Sequence, residues 1–174
     1  LGVAAAAGVA KCSEVDGVLS SLNRTGNQIG DEGAKAIGAA LHVNSVLTSM
    51  NLAVNEIGPA GGVAIGEALK VNSVLTECNV RGNTFDSDSA KLLAKVATEK
   101  RVMLFGIKHD QTEVNFAGHN LSPIDAILIA SDVSVSSVLT HLNLELNEIG
   151  VEGVKALREI AKCRRPSPPL KLTG

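Results

Sequence analysis

The chain has 174 residues, of which 45% are hydrophobic but only 2% aromatic, with no Trp, no Tyr and three Phe. A core without aromatics must be filled by Leu, Ile, Val and Ala, which suits thin regular layers rather than one large irregular interior. Lys plus Arg number 16 and Asp plus Glu 18, a formal net charge of -2, so the clustered basic surface that nucleic-acid binding needs is missing.

In chain order, Leu1 to Ala10 is rich in Ala and Gly and has no basic lead, so it makes a poor signal peptide. A first residue of Leu leads us to expect that the natural chain starts earlier. Gly2 to Cys12 (GVAAAAGVAKC) aligns without a gap with Gly153 to Cys163 (GVKALREIAKC). Residues 1–17 are therefore expected as the helix of a partial repeat, the alternative being a disordered Ala-rich tail.

From Val18 the chain repeats itself. The segment VLSSLN at 18–23 returns as VLTSMN at 46–51, VLTECN at 74–79 and VLTHLN at 138–143, with a weaker copy, TEVN, at 112–115. The residues before each Asn are Leu22, Met50, Cys78, Val114 and Leu142, spaced 28, 28, 36 and 28 apart. Repeats thus begin at 18, 46, 74, 110 and 138, with an insertion at about 100–109. Four residues after the first Asn comes a second, at Asn27, Asn55, Asn83 and Asn147, which is expected to satisfy turn backbone groups. A helix follows, as Gly61, Ala64, Ile65, Ala68 and Leu69 show by lying on one face; Gly33 to Leu41 and Gly153 to Ala161 repeat that spacing. The unit is a strand, a turn and a helix, and neither element can bury its apolar side alone.

The pattern carried by Leu47, Met50, Leu52, Asn55, Ile57 and Gly58, then Ala64-Ile65 and Ala68-Leu69, resembles the leucine-rich repeat of the ribonuclease-inhibitor type. The wording of the repeats is also similar to long arrays in unicellular eukaryotes such as microalgae. The resemblance implies an α/β fold: a curved solenoid, or horseshoe, with parallel strands on the concave face and helices on the convex face. One such domain is expected over 1–165, with 166–174 as a C-terminal tail.

Several residues depart from the pattern. Arg24 stands where other copies have Leu52, Val80, Phe116 and Leu144, and is expected at the open edge of the strand layer, where it can snorkel. His119 holds a turn-Asn position, so that turn is expected to be irregular or to use Asn120. The insertion carries the apolar run Val102 to Ile107. It predicts an extra strand in the same sheet, followed by a loop over Lys108, His109 and Asp110; the alternative is a buried loop plug. Asp125 is expected near its helix N-terminus, which favours negative charge. Asp132 falls where other copies are apolar, and nothing in the pattern accounts for it.

Two surfaces are candidates for binding. On the concave face stand Ser21, Asn23, Ser49, Asn51, Glu77, Asn79, Arg81, Glu113, Asn115, His141, Asn143 and Glu145. These form either a polar, mildly acidic groove for a protein or a solvated ladder of Asn side chains bonded to one another. The absence of Trp and Tyr weakens the binding reading, since hot spots favour Trp, Tyr and Arg. On the convex face, the weakly charged positions Val3, Ala7, Ala34, Gly38, Ala39, Gly62, Val63 and Gly66 are either a partner contact or a drift toward Ala and Gly.

Catalysis finds little support. The four His are scattered, and no metal-ligand spacing, phosphate loop or Cys–His pair occurs, so no cofactor is expected. His109, Asp110 and Glu113 are expected as a loop salt cluster, and Lys162, Arg164 and Arg165 as a solvated terminal cap. Cys12, Cys78 and Cys163 suit free thiols in the cytoplasm or another reducing compartment, and no run of about 18 apolar residues is present to span a membrane. The expected role is a non-catalytic protein-interaction scaffold or an accessory subunit of a larger assembly. The alternatives are a GTPase activator, since the Ran GTPase-activating protein has similar repeats, and a fragment of an innate immune sensor. These rest on fold-level likeness alone.

Overall fold

The computed structural model describes residues 19–163 and 170–174. The expectations for residues 1–17, with Val3 and Ala7 among them, and for Arg164 and Arg165 lie outside the described residues. Strands and helices alternate: β1 (Ser21–Asn23), α1 (Gly30–Val43), β2 (Ser49–Asn51), α2 (Pro59–Val71), β3 (Glu77–Asn79), α3 (Ser87–Lys100), β4 (Glu113–Asn115), α4 (Pro123–Val135), β5 (His141–Asn143), α5 (Gly150–Cys163) and β6 (Lys171–Thr173). All strand pairs are parallel, and Leu22, Met50 and Cys78 stand in one register, as do Val114, Leu142 and Leu172. The helices pack side by side in the same order. Between the two layers lies one continuous core of Leu, Ile, Val and Ala.

The strands are only three residues long, so ladder bonds alone secure few backbone groups. Side chains supply the rest, and three of their series reach back one repeat. In the turns, Asn83 donates through Nδ2 to the carbonyls of Leu52 and Val80 and accepts at Oδ1 from the backbone N–H of Asn55 and Ile57. Asn55 and Asn147 act in the same way, each donating to its own turn and to the repeat before. At helix C-termini, Asn72 accepts from Val74 and Leu75 and donates back to the carbonyls of Leu41 and Asn44. At strand entry, Thr48, Thr76 and Thr140 each donate from Oγ1 to the preceding repeat. The helix-end and Thr series are legible only in hindsight, in the recurring Asn-Ser-Val-Leu-Thr.

A further link crosses repeats at the helix layer. Asp31 in α1 accepts at Oδ1 from Gly58 and Gly61, at 2.8 and 2.7 Å, and so caps α2. Later helices cap themselves: Asp86 accepts from Ser89, and Ser122 with Asp125 forms a reciprocal capping box. The expectation that Asp125 sits at its helix N-terminus therefore holds.

The insertion divides the strand layer. Strands β1, β2 and β3 form one sheet and β4, β5 and β6 another. Val102 to Ile107 does lie against the sheet in parallel sense, but as a single bridge between Met103 and Glu77 rather than a regular strand. The ladder fails after one rung because Val80 N–H takes Leu104 O, one residue short of regular register. Val102, Met103, Leu104, Phe105 and Ile107 are all buried, so the run is both a strand fragment and a plug. The helix layer stays continuous across this point, because α3 packs on α4.

Three expectations need correction or placement. The C-terminal tail is not wholly a tail, because Lys171–Thr173 pairs with β5 and adds a rung. The convex patch is not an outward surface: Ala34, Gly38, Gly62 and Gly66 are buried, leaving Ala39 and Val63 exposed. These small residues form the seams between helices. A Cβ on Gly38 would stand 2.9 Å from the carbonyl oxygen of Ala64, and one on Gly62 2.9 Å from the Phe85 ring. Arg24 is half-buried next to β1, the outermost described strand of its sheet, in keeping with the edge expected for it.

Two stability tests follow from the turns. Asn83→Ala strips partners from two amides and two carbonyls, so denaturant titration should show a loss of about 2–4 kcal/mol. The same change at exposed Asn23, which bonds only within its own turn, should cost under about 1 kcal/mol. An equal loss at both sites would show that the cross-repeat bonds contribute nothing. Val54 sits at φ +56°, where the equivalent turn position of the next repeat, Gly82, sits at φ +70°. A β-branched residue is strained there, so Val54→Gly should raise stability by about 1 kcal/mol. A lowered melting temperature would contradict that strain.

Candidate functional site

The middle residue of each strand points into the core, so its two neighbours point away from the helices. Those neighbours line up across repeats. One row is Ser21, Ser49 and Glu77, with Met103 next in register, then Glu113, His141 and Lys171 beyond the break. The other is Asn23, Asn51, Asn79, then Asn115 and Asn143. The structure thus places the sequence-predicted strand residues on one side, but in two blocks rather than one.

The expected ladder of Asn side chains is not what forms. Its side chains do not bond one another. Each Oδ1 accepts from the backbone N–H two residues on, at Thr25, Ala53, Arg81, Ala117 and Glu145. This local turn is a common habit of Asn. Among the described residues no acceptor meets the side-chain N–H groups, so the row is a column of spaced donors.

The charged groups are partly neutralised in place. Glu77 accepts from Ser49 Oγ at 3.0 Å and pairs with Lys108. Glu113 faces His141, with Nδ1 3.6 Å from Oε1, while Thr140 Oγ1 lies 2.9 Å from the same nitrogen. The expected cluster of His109, Asp110 and Glu113 does not form. His109 instead stands 3.4 Å from the Thr76 carbonyl, so the loop after the plug folds back toward β3.

Arg81 is the most distinctive member. Its guanidinium carbon lies 5.5 Å from the centre of the Phe105 ring and 5.4 Å from that of Phe116. The two rings meet edge to face at 5.5 Å and 79°. Cation–π attraction holds the side chain in one place, and among the described residues it has no ion pair. Sequence reading placed Arg81 on this face but missed Phe105 and Phe116 as its supports. They lie 24 and 35 residues away, and the plug alone brings them together.

Asp132 sets the plug. It is fully buried in α4 and accepts at Oδ1 from Leu104 N–H at 2.5 Å and at Oδ2 from Phe105 N–H at 2.8 Å. This is the account that the repeat pattern could not provide. The carboxylate supplies the acceptors that the plug backbone needs. Burial pushes its pKa up from 3.8 to about 7, against the lowering effect of backbone N–H donors from Leu104, Phe105 and Ile107; the Glu77 charge adds to the rise. Cys78, the described thiol, is buried and pushed to about 12, so it is no nucleophile near neutral pH.

Three segments, residues 18–38, 43–66 and 135–157, match the family model described as Leucine Rich repeat. Those three segments are similar to the leucine-rich repeat, and the alternating helices and parallel strands agree with that fold. No curated protein matches the sequence. Among solved structures, the tropomodulin C-terminal domain of Caenorhabditis elegans is similar at 12% identity and a TM-score of 0.58, over 93% of this chain and 92% of that one. Actin-binding site 2 of leiomodin-1 is similar at 18% identity and a TM-score of 0.48, over 95% of this chain and 75% of that one. Identities this low show the fold alone.

The buried carboxyl makes stability depend on pH. Its folded-state pKa lies above its ordinary value, so the folded chain holds the proton more tightly than the unfolded chain. That contribution is fully present below pH 3.8 and is lost as pH rises through about 7. Between pH 5 and 8 the wild type should lose stability on the order of a few kcal/mol from this source. Asp132→Asn should remove that slope in urea titrations, and identical slopes in the two proteins would show that Asp132 does not titrate there.

Proposed function

We propose that this chain is a non-catalytic protein-interaction module whose strand side holds a partner protein. It serves as a scaffold or accessory subunit of a larger assembly, in the cytoplasm or another reducing compartment. The observation that carries the reading is Arg81, a cation locked between two aromatic rings beside a column of unspent amide donors. A fixed Arg loses little side-chain freedom when it meets a carboxylate, which is why Arg is frequent among interface hot spots. The Asn N–H groups suit backbone carbonyls of an extended partner segment. Glu113 and Glu145 in the second block suit basic side chains on the same partner. The segments similar to leucine-rich repeats support this reading as a class. We further read the stack as curved in the ribonuclease-inhibitor manner, with strands inside because they are narrower than helices.

Affinity capture from the source cell with the purified chain, followed by mass spectrometry, tests this. One set of proteins should be retained by wild type and lost with Arg81→Ala, with Glu145→Lys weakening the same set. Removal of a hot-spot Arg should cost about 2 kcal/mol, or roughly 30-fold in affinity. Retention of the same proteins by the double variant would place binding elsewhere or nowhere.

A further inference from the structure

On the side away from the strands, α4 differs from its neighbours. From Ile124 to Val135 its charged residues are Asp125, spent in the capping box, and Asp132, spent on the plug. Its hydroxyls are spent too: Ser131 Oγ donates to the Leu128 carbonyl and Ser134 Oγ to that of Ser131. Over α4 run two adjoining hollows of about 370 and 430 Å³ that share Ile127, Ala156 and Glu159. Ile127, Ala130 and Ala156 give the floor an apolar character. The walls rise from α3 and α5 and carry Lys91, Lys95 and Glu99 on one side and Glu152, Lys155 and Glu159 on the other.

These six charges are exposed, and none forms an ion pair among the described residues. Lys95 with Glu99 and Lys155 with Glu159 have the helix spacing at which such pairs form. They are also sorted along the trough. Lys91, Glu152 and Lys155 stand in the N-terminal halves of α3 and α5, a net of one positive charge. Lys95, Glu99 and Glu159 stand in the C-terminal halves, a net of one negative charge. A helix carries partial positive charge at its N-terminus and partial negative charge at its C-terminus.

We propose that this trough is a second binding site, and that it takes an amphipathic helix of a partner protein lying antiparallel to α4. The N-terminus of that helix rests between Glu99 and Glu159, and its C-terminus between Lys91 and Lys155. Its apolar stripe meets Ile127, Ala130 and Ala156. Helix α4 beneath the trough has 13 residues, about 20 Å at 1.5 Å per residue. This site is independent of the strand-side reading and survives the failure of that reading.

The test uses a fluorescent, hydrocarbon-stapled 15-residue peptide with a Leu/Ala stripe, Arg in its first turn and Glu in its last. A control peptide has the two charged turns exchanged, and stapling keeps both helical. In anisotropy titrations of the full chain, the first peptide should bind at least about tenfold more tightly than the control, the gain expected of a few rim pairs. Ile127→Glu, checked for its fold by circular dichroism, should abolish binding. The rim variant Lys91→Glu/Glu159→Lys should reverse the preference between peptides, and Arg81→Ala should leave both titrations unchanged. No binding up to about 1 mM, a weak-affinity limit, would overturn the proposal, as would equal binding of the two peptides or indifference to both variants. Failure to bind peptide, joined to a dimer in sedimentation that Ile127→Glu breaks, would also overturn it and assign the trough to a second copy.

Discussion

A repeat with a three-residue strand cannot satisfy its own turn, and the rest of the structure depends on that shortfall. The backbone groups of each turn find partners on side chains of the adjacent repeat, through Asn55, Asn83 and Asn147, and helix ends do the same through Asn72. Apolar burial between layers drives the stacking, but it has no direction. The amides give it one, because an N–H or carbonyl left without a partner in a partly buried turn is costly. Neighbouring repeats are therefore held in register by polar bonds around an apolar core.

The insertion breaks this scheme and shows its terms. Eight extra residues displace the rung, the sheet splits, and the turn position holds His119. Backbone N–H groups of Leu104 and Phe105 are then buried without a next strand to meet them. Asp132 reaches them from the helix layer, at the cost of holding a carboxyl where its charge is poorly solvated. The plug in turn brings Phe105 next to Phe116, and the two rings clasp Arg81. A buried carboxylate thus shapes a half-buried cation on the opposite layer.

The helix layer answers to a different constraint. Adjacent helices approach closely where Gly38, Gly62 and Gly66 remove side chains from the seam. Those glycines read as a bare outer surface when each helix is considered alone. Packed together, they are interior. The face left open is over α4, where charge is drawn inward to Ser122 and to the plug, and the flanking helices supply the rim.

The sequence by itself determined the repeat, its period and the identity of the core positions, because strand and helix periodicities are local properties that each copy states again. It also determined that the second Asn serves turn backbone and that Asp125 sits at its helix N-terminus, although the partners of the Asn in the preceding repeat exist only after stacking. What only the tertiary structure decided involves groups far apart in the chain: the Asp132 bonds to Leu104 and Phe105, the clasp on Arg81, the buried glycines and the β6 rung. The period of 28 residues aligns equivalent positions, but it does not state how a non-equivalent segment seats between them. That depends on which backbone groups are left unpaired after stacking, and those exist only in the assembled layers.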